Sequence, residues 1–390
     1  MEEDNISSNL QAVSISFDRR LPVLHPYLGD LQQGELLVES LYEEPNTELQ
    51  VPVLLISEVC LLPGQKLPLK VYSRTSTEFL SDPVRQRSYF ALFTKNENAL
   101  FHNAEDFSKV ACHSTGTLFQ RNNHMTIQIV GRQRCFLLSP LMQHNIYMED
   151  ISITICNAVN VRVLDEQILP NQIIKFAESS INRLSENERF KFFASLSPHT
   201  SYILNYSSTQ NYVKKLVNWL SIWFKRSQID LIIEQGITIF SFWVASNIAM
   251  SLDSKLLLLA ENSTDRRLRM EWKIITQMTQ IVCISCLDIK CTTNDIINLS
   301  VEANSAHFVN QGGFIHDLFT VGIIKNVDFQ GETSSEFCWF SGYEWTIMCC
   351  SECGTHIGWR FTSKTQITPS QFFGISRRSF KLSQQKEDDE

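Results

Sequence analysis

Two neighbouring runs decide how this chain is read. They are Phe337-Cys338-Trp339-Phe340-Ser341-Gly342-Tyr343-Glu344-Trp345-Thr346 and Cys350-Ser351-Glu352-Cys353-Gly354-Thr355-His356-Ile357-Gly358-Trp359-Arg360-Phe361. Trp339, Trp345 and Trp359 fall within twenty-one residues, and Phe361 follows Trp359 by two. In a strand that spacing places Trp359 and Phe361 on one face. Ser341-Gly342-Tyr343 reads as a turn that returns Trp339 towards Trp345. A small domain rarely uses three tryptophans on its own core, because each buried indole needs a partner for its N–H. The pattern fits either a core cluster or an aromatic pocket for a small flat or cationic group.

Cys350-Ser351-Glu352-Cys353 lies between Trp345 and Trp359, and a second C-x-x-C pair, Cys283-Ile284-Ser285-Cys286, precedes it. Each pair is half of a tetrahedral thiolate site, since a two-residue gap lets a tight turn aim both sulfurs at one ion. The expectation is one structural zinc ion held by Cys283, Cys286, Cys350 and Cys353, clamping two distant hairpins of one β domain. Four thiolates leave no open position for catalysis. No H-x-E element precedes Cys350, as a zinc deaminase requires, and the eight ligands of a two-zinc RING domain are missing at suitable spacing. Cys291 and Cys349 read as packing residues.

The chain of 390 residues is long enough for two to three domains. Its 43% apolar content supports real cores, and its 19% charged content argues against a largely disordered chain. Lys plus Arg is 34 against 42 Asp plus Glu, a net charge of −8, which disfavours a dedicated nucleic-acid binder. The start is acidic and lacks a secretory pattern, so the eleven cysteines read as metal ligands or buried thiols rather than a disulfide framework. Leu231 to Met250 is broken by Glu234, Gln235, Gly236 and Asn247, so no membrane span is expected.

The periodicities predict an α+β multidomain chain. Residues 1–46 are a polar, partly disordered N-terminal segment. Residues 47–165 are strand-rich, with Val51-Pro52-Val53-Leu54-Leu55-Ile56, a turn at Pro63-Gly64, and alternation over Thr126-Ile127-Gln128-Ile129-Val130. Residues 166–277 are a helical bundle. Val213, Leu216, Val217, Leu220, Trp223 and Phe224 make one stripe there, and a second long helix runs from Asp253 towards Gln277, capped by Ser251 or Asp253. Trp219, Trp223, Trp243 and Trp272 read as bundle core. Residues 278–381 are a zinc-binding β domain, and 382–390 a disordered tail.

The quoted runs resemble the cereblon family, in its thalidomide-binding (CULT) domain. Val309-Asn310, Gly313 with His316, and Ser370-Gln371-Phe372-Phe373-Gly374 fit the same domain. Leu62-Pro63-Gly64-Gln65-Lys66-Leu67-Pro68-Leu69 and Val130-Gly131-Arg132-Gln133-Arg134 resemble the Lon protease N-terminal domain that the family carries. The resemblance implies a Lon N-terminal-like β domain, a helical bundle and a zinc-bound β-tent CULT domain. It implies a non-catalytic substrate receptor of a cullin–RING ubiquitin ligase, docked through its helical part on a DNA-damage-binding adaptor subunit, cytoplasmic and nuclear in location. The implied ligands are small-molecule glutarimides and protein substrates with a C-terminal cyclic imide. The implied cage is Trp339, Trp345, Trp359 and Phe361, with Asn310 at the rim and Phe337 on the ligand-facing loop. The chain departs from the family motif at Phe337-Cys338, which there reads His-Ser, and at Gln311-Gly312, which replaces a Pro-His pair. Without a G-x-x-x-x-G-K-[ST] loop no ATP-driven protease is expected.

Two further readings stay open on the residues. One is a β-tent oxidoreductase of the methionine sulfoxide reductase kind, with Cys338 as nucleophile; it lacks an adjacent activating group. The other is a methyl-ammonium cage with Glu336 or Glu344 as its carboxylate.

Overall fold

The computed structural model describes residues 15–28, 35–36, 42–81, 90–95, 110–121, 124–139, 141, 146–149, 153–168, 184–195 and 209–384. The expectations of disorder before residue 15 and after residue 384 lie outside them, but the tail expected from residue 382 starts too early, because Leu382 and Ser383 pair with Ile281 and Gln280 in a strand.

The first described strand, β1 (Ile15–Ser16), belongs to the C-terminal domain and is taken up there. The next eight form one mostly antiparallel sheet: β2 (Glu35–Leu36), β3 (Glu48–Ser57), β4 (Lys66–Val71), β5 (Phe90–Lys95), β6 (Val110–Arg121), β7 (His124–Leu137), β8 (Ile146–Glu149) and β9 (Ile153–Val163). Their order is β2-β6-β5-β3-β9-β7-β4, with β8 on β9 and a further β6–β7 pairing that curls the sheet. That curl explains why β3 reads as a continuous apolar run. Leu54 and Ile56 face one core with Leu67, Leu69, Ile127 and Ile129. Val53 and Leu55 face another with Ala91, Phe93 and Val161. Pro68 is tolerated because β4 ends the strand order. The expected turn forms at Gly64, where φ is +86° and the N–H donates to Gly131 O at 2.9 Å.

Helices follow at Glu186–Ser195, Thr209–Leu220, Arg226–Glu234, Ile237–Asn247, Leu252–Ala260 and Thr264–Gln277. The expected stripe is buried through Leu216, Val217, Leu220 and Phe224. The single long helix expected from Asp253 to Gln277 is instead two. Ser251 Oγ accepts from Ser254 N, and Ser263 Oγ accepts from Arg266 N, so a second N-cap opens a new helix at Thr264. Among the described residues no helix is long and apolar enough to cross a membrane. The four bundle tryptophans are half-buried. Trp223 Nε1 donates to Ile296 O at 3.1 Å and Trp243 Nε1 to Glu302 O at 2.7 Å, so these two face the C-terminal domain.

That domain has two sheets. β10 (Gln280–Cys283), β11 (Ile289–Thr292) and β19 (Phe380–Ser383) form one, in the order β11-β10-β19. The other comprises β12 (Ser305–Val309), β13 (Ile315–Val321), β14 (Val327–Ser334), β15 (Tyr343–Cys350), β16 (His356–Ser363) and β18 (Gln371–Ser376), in the order β12-β13-β18-β16-β15-β14. The short β17 (Ile367–Thr368) pairs in parallel with β1. Ile281, Phe319, Val321, Met348, Ile357 and Phe380 fill one core, which also holds Cys291 as expected; Cys349 is buried but lies outside that cluster. At Gly358 an added Cβ would meet Gly374 O at 2.0 Å, so only glycine lets β16 pass β18.

The leading segment, read as polar and partly disordered, is in its described part built into this domain. Phe17 lies 5.6 Å from Tyr343, and the His25 ring lies 5.9 Å from Phe308. Its apolar anchors are too sparse to form a period, which hides the docking from a pattern reading. A buried ion cluster joins the bundle to the same domain. Asp317 Oδ2 accepts from Lys255 Nζ at 2.9 Å and from Arg377 Nε at 2.8 Å. Burial alone would raise the Asp317 pKa, but Arg377, Lys255 and His307 hold it well below the usual carboxylate range.

Candidate aromatic cage and metal centre

The cage grows from strand register. Trp345 pairs with Phe361 and Ile347 with Trp359 across β15 and β16. Directly opposed residues share a sheet face, so all four project together. Gly374 lies opposite Trp359, and a Cβ there would come within 3.0 Å of Phe361 Cε2. Trp339 comes from the loop before β15. Its Nε1 donates to Val309 O at 3.2 Å, and its ring lies 4.8 Å from Trp359 at 77°. Behind it Phe308 stacks at 5.2 Å and 19°. Tyr27 of the leading segment accepts Val309 N–H on its hydroxyl at 3.1 Å, which fixes the strand that anchors Trp339. Trp345 Nε1 donates to Glu336 O at 2.9 Å.

These walls enclose a cavity of about 570 Å³. Asn310, Phe337, Trp339, Trp345, Trp359 and Phe361 all line it. Trp339 and Phe361 are buried, and Trp345 and Trp359 are half-buried, as a wall and floor should be. Asn310 Oδ1 accepts from Phe314 N at 2.9 Å and so pins the rim turn. Phe337 sits at φ +51°, a left-handed conformation that bulky residues adopt only when held there.

The residue reading missed His356, and it missed the part His316 plays in the wall. The His356 and His316 rings lie 4.7 Å and 4.9 Å from Trp359. Burial, with Arg378 and His356, lowers the His316 pKa to about 3, so the imidazole is neutral at physiological pH. Isolated histidines carry no spacing signal, and only the register of β13 and β16 brings them to the wall. Two further contacts come from β4 and the residue that follows it. Lys70 Nζ lies 5.1 Å from the centre of the Phe337 ring. Tyr72 donates its hydroxyl to Gln311 O at 2.5 Å.

Cys338, the candidate nucleophile, is half-buried, and burial pushes its thiol up to about 11. That is the reverse of activation. Glu344, one candidate carboxylate for an ammonium, is paired with Lys364 at 2.8 Å, while Glu336 lines the cavity.

The four C-x-x-C sulfurs come together, all within 4.8 Å of one another. Cys283 Sγ lies 3.6 Å from Cys353 Sγ, and Cys286 Sγ lies 3.5 Å from Cys350 Sγ. Metal–sulfur bonds of about 2.3 Å in a tetrahedron put sulfurs roughly 3.8 Å apart, so the donor set fits one tetrahedral ion. Hydrogen bonding from Thr355 lowers the Cys353 thiol to about 6, whereas at Cys286 the hydrogen bond from the Asp288 backbone is outweighed by burial and the neighbouring sulfurs, which raise the thiol.

The chain belongs to the family of the ATP-dependent protease La (LON) substrate-binding domain, whose model matches residues 50–277. Along nearly its whole length it is similar to protein cereblon. It is 26% identical to the Gallus gallus protein over 391 residues, covering 93% of this chain and 84% of that one. It is 27% identical to the Danio rerio protein over 404 residues, covering 96% and 90%. The resemblance read from the cage and C-x-x-C residues is therefore borne out. A solved Lon N-terminal domain protein from Xanthomonas campestris overlays at a TM-score of 0.34 and 13% identity, covering 58% of this chain and 98% of that one; this overlay carries no weight. The chain is an α+β protein with a Lon-like domain, helices, and a four-cysteine cluster consistent with a CULT domain.

Proposed function

We propose that this chain is the substrate-recognition receptor of a cullin–RING ubiquitin ligase, itself non-catalytic, and that it binds cyclic-imide ligands and imide-ended protein substrates. The observation that carries the proposal is the tri-tryptophan cavity, two of whose walls, Trp345 and Trp359, stand on the β15–β16 hairpin that also carries Cys350 and Cys353, in a chain similar to cereblons. A cyclic imide has a planar face and an N–H between two carbonyls. Trp339, Trp345 and Trp359 offer ring faces and edges to that plane, with Phe361 as floor. Main-chain groups of Phe337 and Trp339 pair with the imide edge, because Phe337 has no polar side-chain atom. Cys283, Cys286, Cys350 and Cys353 hold one zinc ion, which supplies a structural cross-link and no open coordination position. The bundle docks on the DNA-damage-binding adaptor, and the protein works in cytoplasm and nucleus.

Binding and reconstitution measurements test this reading. A glutarimide should quench cage tryptophan fluorescence, and its N-methyl form should not, because it lacks the donor that pocket carbonyls require. Trp345→Ala should weaken the imide by about 2 kcal/mol or more, the scale of a hot-spot residue. Equal binding of the two forms would overturn the imide reading, and preference for a trimethylammonium would favour the ammonium cage. Affinity capture should recover the adaptor, and ubiquitin transfer should need added adaptor, cullin and RING subunits. Transfer by the isolated chain would refute the receptor role.

A further inference from the structure

The mouth of the cage carries a cation that the imide does not need. Lys70 lies on β4, between Leu69 and Val71, whose side chains enter the core of the Lon-like sheet. Alternation therefore turns Lys70 outward from that core, towards the C-terminal domain. It is only 6% exposed. Among the described residues its ammonium pairs with no carboxylate, and it lies 5.1 Å from the Phe337 ring centre. A lysine so deeply covered ordinarily has an acidic partner. One aromatic face supplies only part of that compensation. Burial accordingly lowers its pKa, with no neighbouring acid to raise it.

The position of this cation matters. Phe337 lines the cavity and is 42% exposed, so it forms part of the way out. Tyr72, just past the end of β4, donates its hydroxyl to the carbonyl of Gln311 on the opposite rim loop. A chain that leaves the cavity between these loops passes the end of β4. Of the acids on this side, Glu344 is held by Lys364, and Glu336 is exposed to solvent.

On the reading that the cage takes a cyclic imide at a peptide end, we infer that Lys70 is a specificity residue that recognises a carboxylate on the residue next to the imide. The preferred substrate class is then a peptide that is acidic just before its imide terminus. The carboxylate completes a charge pair that the free protein lacks, and Phe337 orders the ammonium for it.

The test uses the full chain and two synthetic peptides ending in the same cyclic imide, one with Asp and one with Asn at the preceding position. Tryptophan quenching gives both affinities. The acidic peptide should bind about fivefold tighter at low salt, the scale of a partly screened ion pair, and the ratio should fall as salt rises. Lys70→Met keeps the buried stem and should bring the ratio close to one. Lys70→Glu should reverse it. A ratio of one in the unaltered protein, or a ratio unmoved by both substitutions, overturns the inference while leaving imide binding intact. Failure of both peptides to bind would instead overturn the imide reading, and this inference with it.

Discussion

Asp317→Asn is the sharpest test of how the bundle is fastened to the cage domain. One oxygen of Asp317 accepts from both Lys255 Nζ at 2.9 Å and Arg377 Nε at 2.8 Å. The three side chains are 0%, 3% and 1% exposed for Lys255, Asp317 and Arg377. Arg377 also donates to Met250 O, and His307 Nδ1 lies 2.9 Å from Lys66 O, so the cluster touches bundle, Lon-like sheet and cage domain together. Asparagine keeps the shape but removes the only anion that these cations share among the described residues, leaving Lys255 and Arg377 side by side out of water. Breaking one buried pair costs about 3–5 kcal/mol, a large part of an ordinary domain's stability of about 5–15 kcal/mol. The folded Asp317 pKa is depressed, so its contribution is complete above the unfolded value of about 3.9 and is lost as pH falls through the lower folded value. Urea unfolding followed by tryptophan fluorescence should therefore show the full deficit, unchanged, from pH 6 to 8. Asp317→Leu with Lys255→Met should recover part of it. A deficit under about 1 kcal/mol at pH 7 would refute the argument, since a buried anion between two cations cannot be that dispensable.

Cys350→Ser should release about one zinc per chain by elemental mass spectrometry and unfold the cage domain while the Lon-like sheet keeps its far-ultraviolet signature, because metal binding there is folding free energy; full thermal stability without metal would exclude a structural ion. Glu271 is fully buried, and neither of its carboxylate oxygens has a partner among the described residues. Burial raises its pKa, with Arg267 opposing. The stability tied to its neutral form is complete below about pH 4.3 and is lost as pH rises through the raised folded value. Glu271→Gln should match the parent at pH 4 and exceed it by about 1 kcal/mol at pH 8 in thermal melts; a deficit that grows with pH would contradict this. Tyr27→Phe strands the Val309 N–H and should cost about 1–2 kcal/mol, with a weaker imide affinity because Trp339 hangs from the same residue; unchanged binding and melting would show that the leading segment is incidental to the cage.

Much of this was legible beforehand, for identifiable reasons. Two C-x-x-C pairs carry a spacing that chemistry dictates, so the four sulfurs could be paired across more than sixty residues of chain. Trp359 and Phe361 announce a shared face by their two-residue gap. The break at Glu261-Asn262-Ser263 was missed because apolar residues continue on both sides, and only the Ser263 cap marks the new helix. The leading segment, His316, His356 and Lys70 were opaque for a different reason. Their roles arise from neighbours distant in the chain, and no local period encodes those.

The docking of the leading segment has a consequence for synthesis. Tyr27 meets its partner Val309 across 282 positions. At ribosomal speeds of roughly 5–20 residues per second, that partner follows on the order of half a minute later. During that interval Phe17, Leu21 and Tyr27 lack the aromatic cluster they pack against. The nascent chain must carry these few apolar anchors in water while the sheet and bundle form behind them. A chaperone that grips short apolar segments would find its natural client in those first residues, and the cage is completed only when the leader is let go.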